Sequence, residues 1–457
     1  MVRTRIAPSP TGEDLHIGNL YTALLNWTWA HKNNGAFIIR IEDTDRTRLV
    51  PGSEERILKT LAAFGLSPDE PFCRQSERLS IYHEYVEQLV DKGHAYYCFC
   101  TPERLDAVRK EQMAQKKQPK YDRHCLSLSP QEVKERIERG EPHVIRMKIP
   151  EGKTTFHDVI HGDITIDNAT IDDTVLLKSD TFPTYHLAVV IDDHLMNITH
   201  VIRAEEWIPS TPKHVLLYHM FGWQLPVFVH TPILRNPDKS KLSKRKNPVW
   251  SSWYLAEGYL PEAILNYFGL MGWSHPEGKE IFSRDEFVRL FDIKDVHSVG
   301  PVFDSAKLTW MNGEYIRMMD AETLSKKIHS FFTDRYAMEL IKQVIPLVQE
   351  RIKTLKEFDA YTSFFLSAPS TYEQDLSAQR DLLTSMVEHL DNLTDWTAQN
   401  IGETLEKLAR EKGVSNSKLF MALRIAITGK KITPPINESM VILGKAESIA
   451  RIKTATK

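Results

Sequence analysis

Hydrophobic and polar positions at the start of the chain follow first the period of a strand and then that of a helix. Val2, Thr4 and Ile6 alternate with two arginines, and apolar residues then recur every third or fourth position from Leu20 to Ala30. Two prolines and a glycine between positions 8 and 12 predict an extended turn between these elements. Another apolar run, FIIRIED, follows. Strand, turn, helix and strand in this order predict the first half of an α/β nucleotide-binding fold.

The middle of the chain predicts a different kind of sheet. Helical patterns at 53–64 and 76–90 are followed, beyond residue 144, by runs that we interpret as strands. These runs are VIRMKI, DITIDNATI, TVLLKS and YHLAVVIDD. Antiparallel strands inside an α/β pattern favour an insertion into the nucleotide fold over an ordinary continuation of one sheet. We place this insertion at residues 76–188.

The length and the remaining pattern predict several domains. A chain of 457 residues is too long for one hydrophobic core, and from residue 321 the pattern is helical throughout. We predict the two halves of the nucleotide fold at 1–75 and 189–223, the insertion at 76–188, a helical contact domain at 224–320, and a two-part helical region at 321–385 and 386–457.

Composition excludes some function classes and leaves others open. The net charge of −3 averages over all faces, whereas residues 104–123, 239–246 and the last ~55 residues are locally basic. Charge alone therefore does not establish nucleic-acid binding. No apolar run approaches the ~20 residues of a membrane span, so we expect no membrane association. Four cysteines without framework spacing suit a reducing compartment, and we expect a cytoplasmic protein.

Two stretches carry candidate chemistry. His16 and Gly18 lie at the start of the first predicted helix, where a histidine can donate to a phosphoryl oxygen and a glycine admits a ligand close to the backbone. Far along the chain, KSKLSKRK at 239–246 supplies five cations. Each stretch also has an ordinary interpretation, as a structural βα turn or as a solvated basic loop. Together they indicate phosphate chemistry.

The same stretches resemble the signature elements of class I aminoacyl-tRNA synthetases. HIGN at 16–19 is similar to the His-Ile-Gly-His element, with Asn19 replacing the second histidine, and KLSKR at 241–245 resembles the Lys-Met-Ser-Lys-Ser element. Within that class, the order and spacing of further motifs resemble bacterial-type glutamyl-tRNA synthetases across essentially the whole chain. These motifs are APSPTG, RIEDTD, the YHL at 185–187, VIRAEEW and VFDSAKLTWMNGEYI.

This resemblance implies a fold and a reaction. The implied fold class is α/β, a class I Rossmann-type nucleotide-binding catalytic domain with an inserted acceptor-end-binding domain, followed by an all-helical anticodon-binding region. The implied reaction activates L-glutamate with ATP and transfers it to the 3′ end of tRNA-Glu, with Mg²⁺ accompanying ATP. We expect a monomer. Whether tRNA-Gln is charged as well stays open, with Arg351 one candidate for reading the anticodon.

The resemblance also implies the site residues. Catalysis falls to His16 and Lys244. The implied ATP-binding residues are Thr11, His16, Gly18, Glu206, Trp207, Leu234, Lys241, Ser243, Lys244 and Arg245. The implied glutamate-binding residues are Arg5, Ala7, Ser9, Glu42, Tyr185 and Arg203.

The types of these residues suit glutamate. A guanidinium fork matches a carboxylate, which Arg5 and Arg203 can provide, and Glu42 can pair with an ammonium group. Val189 stands where some relatives carry an asparagine, so we do not transfer that contact.

Three cysteines resemble part of a zinc site that some family members carry. Cys98, Cys100 and Cys125 offer three ligands, but Ser127 occupies the matching fourth position and His124 is awkwardly placed beside Cys125. We therefore expect no bound metal other than Mg²⁺.

Two further classes of function remain as alternatives. One is a related ligase, either of the glutaminyl type or a truncated relative that glutamylates a modified tRNA base. The other is a non-catalytic tRNA-binding paralogue, which predicts loss of His16 or Lys244, and both are present.

Overall fold

The computed structural model describes residues 1–242, 248–333 and 335–456 of the chain. The chain divides into two compact units. One comprises Met1–Trp253 with Leu265–Asp304, and the other comprises Tyr254–Ile264 with Ser305–Lys457. No helix among the described residues is long and apolar enough to span a membrane.

The strands all lie in the first unit. In chain order they are β1 (Arg3–Ile6), β2 (Ala36–Ile41), β3 (Cys73–Arg74), β4 (Ala95–Cys98), β5 (Val144–Met147), β6 (Lys153–Asp158), β7 (Gly162–Asp167), β8 (Val175–Leu177), β9 (His200–Ala204) and β10 (Val227–Thr231).

Helices of the first unit cover these strands. They are α1 (Ile17–Lys32), α2 (Ser53–Ala63), α3 (Leu79–Asp91), α4 (Pro102–Ala114), α5 (Pro130–Glu138), α6 (Tyr185–Leu195), α7 (Thr211–Phe221) and α10 (Arg284–Leu290). Between α7 and α10, helices α8 (Ser251–Ala256) and α9 (Pro261–Gly272) each contribute residues to both units.

Parallel strands form the centre of the first unit. β1 pairs with β2 and β2 with β3, while β9 pairs with β10, all in parallel. The two groups meet where the Thr199 amide donates to the Arg3 carbonyl at 3.0 Å, which sets β1 beside β9. From β1 the chain continues to β2 on one side of this shared edge, whereas from β9 it continues to β10 on the other side. The edge between β1 and β9 is therefore a topological switch point. Ligands bind at such points, beyond the carboxyl ends of the strands.

The predicted α/β fold with an antiparallel sheet in its middle and an all-helical C-terminal region is confirmed, but one predicted strand is a helix. The run YHLAVVIDD, which we interpret as a strand, forms helix α6. Residues 187–193 of this helix are all buried, in a core shared with α3 and α7. Residues 187–191 form an unbroken apolar run, and periodicity cannot distinguish such a run in a buried helix from one in a buried strand.

The antiparallel strands divide between two sheets. β4, β5 and β8 form a separate antiparallel sheet within the predicted insertion. The hairpin of β6 and β7 instead extends the central sheet, because β6 pairs in parallel with β10. β6, whose inward residues alternate with exposed ones, was absent from the predicted strands. The domain bounds stay a prediction.

The second unit is helical. It contains α11 (Ser305–Met318), α12 (Ala321–Phe332), α13 (Met338–Val348), α14 (Glu357–Thr362), α15 (Arg380–Asp391), α16 (Ala398–Glu411), α17 (Asn416–Thr428), α18 (Ile436–Leu443) and α19 (Lys445–Ala455). One core joins α11 to α14 and another joins α15 to α19. Residues 321–456, apart from position 334, contain no strand, which confirms the predicted all-helical region.

The turn between α1 and β2 offers a test of packing in the catalytic fold. A Cβ atom added at Gly35 would lie 2.0 Å from the backbone oxygen of Val2, which cannot move without disturbing β1. We expect Gly35→Ala to lower the free energy of unfolding by about 1–3 kcal/mol in urea titrations. Gly313→Ala is the control, since its Cβ would meet only flexible side chains at 3.3–3.4 Å within α11. Equal stability losses in both variants would contradict this account.

Candidate active site

A cavity of about 250 Å³ lies at the switch point. Its walls come from the carboxyl ends of β1, β2, β9 and β10 and from the N-terminus of α1. Eleven of the predicted site residues line it: Arg5, Ala7, His16, Gly18, Glu42, Tyr185, Arg203, Glu206, Trp207, Leu234 and Lys241. The fold thus gathers residues that are up to 236 positions apart in the chain.

The remaining predicted residues lie elsewhere or cannot be placed. Ser9 and Thr11 are on the turn before α1 but do not line the cavity. Ser243, Lys244 and Arg245 lie outside the described residues. Lining residues that the prediction missed all lie within four positions of a predicted residue in the sequence. They are Ile6, Asn19, Tyr21, Thr22, Ile202, Ala204, Pro232, Ile233 and Leu242.

His16 is the N-cap of α1, and this role determines the tautomer of its imidazole ring. The Gly18 amide donates to His16 Nδ1 at 3.0 Å, so in the neutral imidazole the proton sits on Nε2. The backbone at 249–251 hydrogen-bonds to Leu15 and Ile17, so the chain following the basic stretch is anchored beside this cap. His16 therefore offers an Nε2–H donor where the helix N-terminus already favours an anion.

Arg5 is a buried arginine with an anionic partner. Its Nε and one terminal nitrogen donate to the two carboxylate oxygens of Asp193, both at 3.0 Å. Arg40, wholly buried, donates to the same carboxylate at 2.7 Å. Burial alone would raise the pKa of Asp193, but the two guanidinium groups outweigh it and hold that pKa below its ordinary value. This cluster joins β1 and β2 to α6.

Arg203, the second predicted carboxylate clamp, differs from Arg5. It is 6% exposed and its hydrogen-bond partners are His230, His214, Tyr185 and Thr211, all of them uncharged acceptors. Within the part of the chain that the structure describes, no carboxylate forms an ion pair with it. The cavity therefore contains one guanidinium whose charge the protein leaves uncompensated.

Glu42 supplies the anionic side of the cavity. Its side chain is 11% exposed and accepts from Arg40 at 3.2 Å. Burial raises the pKa of the Glu42 carboxyl to about 7, against the opposing effect of Arg40 and Arg5. The group is therefore poised to ionise when a cation binds beside it.

Two aromatic rings and an ion pair also line the cavity. The rings of Tyr185 and Trp207 lie 4.4 Å apart between centroids, and Lys241 forms an ion pair with Glu206. This ion pair connects the start of the KLSKR stretch to the segment after β9. The cavity can thus accommodate a flat ring, an anion and a cation together.

Three cysteines form a cluster away from the cavity. The sulfur atoms of Cys98, Cys100 and Cys125 lie within 4.8 Å of one another, and the Tyr121 hydroxyl lies 3.3 Å and 3.4 Å from the first two. Hydrogen bonds from Cys125 and Tyr121 lower the pKa of Cys98 despite its burial.

The cysteine cluster bears on the expected absence of zinc. That expectation assumed no fourth ligand, and the Ser127 hydroxyl indeed bonds instead to the His124 carbonyl at 3.0 Å. The Tyr121 hydroxyl lies beside two of the sulfurs as a fourth polar group, whereas a closed structural Zn²⁺ site takes four ligands from cysteine, histidine and carboxylate side chains. The absence of zinc stays a prediction, and one equivalent of zinc in the purified protein would contradict it.

Comparison with known proteins assigns this fold and cavity to a class. Residues 1–310 match the family model described as tRNA synthetases class I (E and Q), catalytic domain, and residues 321–456 match an anticodon binding domain. The protein is thus a class I aminoacyl-tRNA synthetase. It belongs to the family of class I tRNA synthetases for glutamate and glutamine (E and Q).

Similar proteins extend over the full chain. A glutamate–tRNA ligase of Thermus thermophilus is 46% identical over 476 residues, covering 100% of both chains, and one of Fusobacterium nucleatum is 44% identical, covering 100% of this chain and 97% of its own. Among solved structures, a glutamate tRNA ligase from Elizabethkingia meningosepticum in complex with its amino acid superposes with a TM-score of 0.87. It is 39% identical and the match covers 100% of this chain and 99% of that one.

The Asp193 cluster gives a stability test. Asp193→Asn removes the partner of two buried guanidinium groups, and we expect a loss of about 3–5 kcal/mol in the free energy of unfolding at pH 7. Because the folded pKa of Asp193 lies below the ordinary 3.8, the loss should be present above that pH and should shrink as pH falls through the lower folded value.

The control for this test is Glu322→Gln, which breaks an exposed ion pair with Lys326 and should not change the urea midpoint measurably. An Asp193→Asn protein as stable as its parent would show that the cluster is not a structural anchor.

Proposed function

We propose that this protein is a glutamate–tRNA ligase. A carboxylate oxygen of L-glutamate attacks the α-phosphorus of ATP, the bond to the β-phosphate breaks, and glutamyl-adenylate and pyrophosphate form. A ribose hydroxyl at the 3′ end of tRNA-Glu then attacks the acyl carbon and AMP leaves. The observation that carries this proposal is the uncompensated, buried Arg203 sharing a cavity with Glu42 in a chain so similar to proteins of that name.

The amino acid's three charges find complementary groups in the cavity. We assign Arg203, with the Tyr185 hydroxyl that it orients, to a carboxylate, and Glu42 to the α-ammonium group. Arg5 adds donors at the cavity wall while its net charge is balanced by Asp193. Ala7 and Ser9 add contacts from the turn after β1.

The nucleotide would lie across the N-terminus of α1. Class I aminoacyl-tRNA synthetases use ATP, and we propose that Mg²⁺ is bound mainly through its phosphates and water. His16 Nε2–H would donate to the α-phosphate as charge develops there, and Lys244 would neutralise the β- and γ-phosphates. Gly18 leaves room for the phosphate, and Trp207 offers a face to the adenine. The other assigned ATP contacts are Thr11, Glu206, Leu234, Lys241, Ser243 and Arg245.

The rest of the chain would bind tRNA. We assign the insertion at 76–188 to the acceptor end and residues 321–457 to the anticodon, since residues 321–456 match an anticodon binding domain. We further propose a cytoplasmic monomer.

The decisive experiment is charging of separate tRNA-Glu and tRNA-Gln transcripts with labelled glutamate. We expect label on tRNA-Glu, and label on both would mean that the anticodon region does not discriminate. Absence of label on both transcripts would refute the proposal and favour a tRNA-binding protein without catalytic activity.

The raised pKa of Glu42 predicts how glutamate affinity depends on pH. The carboxyl is neutral below about pH 7 and charged above it, and only the charged form pairs with an ammonium group. We expect the KM for glutamate to rise by roughly tenfold from pH 8 to pH 6 in charging assays, with the KM for ATP unaffected. Glu42→Gln should raise the KM at all pH values and abolish this dependence. A parent enzyme with a flat profile would contradict the assignment of Glu42.

His16 should act on the reaction rate and on helix stability separately. His16→Ala removes both the phosphate donor and the N-cap, whereas His16→Asn keeps a side chain that can cap α1. We expect both variants to lose charging rate by about 10²–10³, because both lose the imidazole Nε2–H that donates to the α-phosphate. Only the alanine variant should also lose about 1 kcal/mol of stability in urea titrations. Charging at the parent rate by either variant would refute the role of His16.

A further inference from the structure

Two buried histidines form an uncharged cradle for Arg203. Arg203 Nε donates to His230 Nε2 at 3.1 Å, and one terminal nitrogen donates to His214 Nδ1 at 3.1 Å. The other terminal nitrogen donates to Thr211 Oγ1 at 2.8 Å. Both histidines are buried, His214 in the first turn of α7 and His230 near the end of β10. None of these partners carries a formal negative charge.

The chemistry of arginine fixes the protonation of both rings. A guanidinium can only donate, so the facing nitrogen of each histidine must accept and each ring must be neutral. His214 then carries its proton on Nε2 and donates to His186 Nδ1 at 3.0 Å. His230 carries its proton on Nδ1 and donates to Asp158 Oδ2 at 2.7 Å. Burial also lowers the pKa of His214 well below its ordinary value and that of His230 to about 4, which is consistent with neutral rings.

Asp158 holds the His230 end of the cradle without touching Arg203. One of its carboxylate oxygens also accepts from the His230 amide at 3.0 Å, and the other accepts from the amides of Ile160 and His161. The carboxylate is therefore rigidly placed and already satisfied. It selects the Nδ1–H tautomer of His230, which leaves Nε2 as the acceptor that Arg203 requires.

We propose that His214 and His230 are positioning residues that orient the Arg203 guanidinium without neutralising it, leaving its charge for a substrate carboxylate. Asp158 acts one step further back by fixing the His230 tautomer. The contrast with Arg5 supports this, since Arg5 is held equally firmly but by the carboxylate of Asp193. The inference rests on the proposed function, in which Arg203 meets the glutamate carboxylate.

The sharpest test compares His214→Glu with His214→Gln. The two side chains have the same shape, but only glutamate would place a negative charge on Arg203. We expect His214→Glu to raise the KM for glutamate in tRNA charging by about tenfold to a hundredfold, and His214→Gln by less than about threefold. The KM for ATP should stay within about twofold of the parent in both variants.

Equal effects of the two substitutions, or a parent-like KM in His214→Glu, would overturn the proposal. Thermal unfolding of both variants shows whether each is folded. Asp158→Ala provides a second route, because it removes the acceptor that holds the proton of His230 on Nδ1 and so leaves Nε2 free to carry that proton against Arg203. A raised KM for glutamate at unchanged KM for ATP is expected there too, and an unchanged KM for glutamate would contradict the role of Asp158.

The tautomers of the two histidines can also be measured directly on the parent protein, without an activity assay. In ¹⁵N-histidine correlation spectra at pH 7, assigned with His214→Gln and His230→Gln, we expect the Nε2–H tautomer for His214 and the Nδ1–H tautomer for His230. A doubly protonated ring or a reversed tautomer at either position would overturn the cradle. A parent protein that fails to charge tRNA with glutamate would instead overturn the proposed function while leaving this result standing.

Discussion

The carboxylate of Asp193 is the contact on which the cavity depends. It receives Arg5 from β1 and Arg40 from β2, and it comes from α6, which arrives nearly two hundred residues later in the chain. Without it, Arg5 would lose its carboxylate partner and Arg40 would keep only Glu42 and the more distant Asp192. Breaking a buried ion pair in this way typically costs about 3–5 kcal/mol. Because Arg40 also donates to Glu42, the same cluster sets the position of the acidic group at the cavity wall. The same cluster of charged side chains therefore stabilises the fold and positions Glu42 in the cavity.

The two arginines of the cavity have different partners, and we propose that this difference favours an acidic ligand. Arg5 is balanced by Asp193, whereas Arg203 is surrounded by neutral acceptors. An uncharged amide in place of a carboxylate would leave Arg203 buried without a counter-charge. Glu42, with its pKa near 7, supplies the opposite charge for an ammonium group. Selection by charge of this kind lets an enzyme reject near-cognate amino acids without an editing domain.

Sequence patterns predicted the parts whose periodicity is distinctive. β1, α1 and β2 were recognised because apolar residues change from period 2 to period 3.6 at the turn before His16. Helix α6 was mistaken for a strand because its residues 187–191 form an unbroken apolar run. His214 and His230 were missed, since a single histidine in an apolar run looks the same whether it fills a core or holds an arginine. Their signal was a histidine within each buried element, which only the three-dimensional contacts could interpret.

The account's central claim is that an uncompensated Arg203 makes the cavity a site for an acidic amino acid. Comparing kcat/KM for glutamate and for glutamine, with tRNA-Glu as acceptor, tests it most directly. The account predicts that glutamine is used at least about a thousandfold less efficiently, because its amide leaves the arginine unpaired. Similar kcat/KM values for the two amino acids would contradict the claim and would favour a ligase of the glutaminyl type.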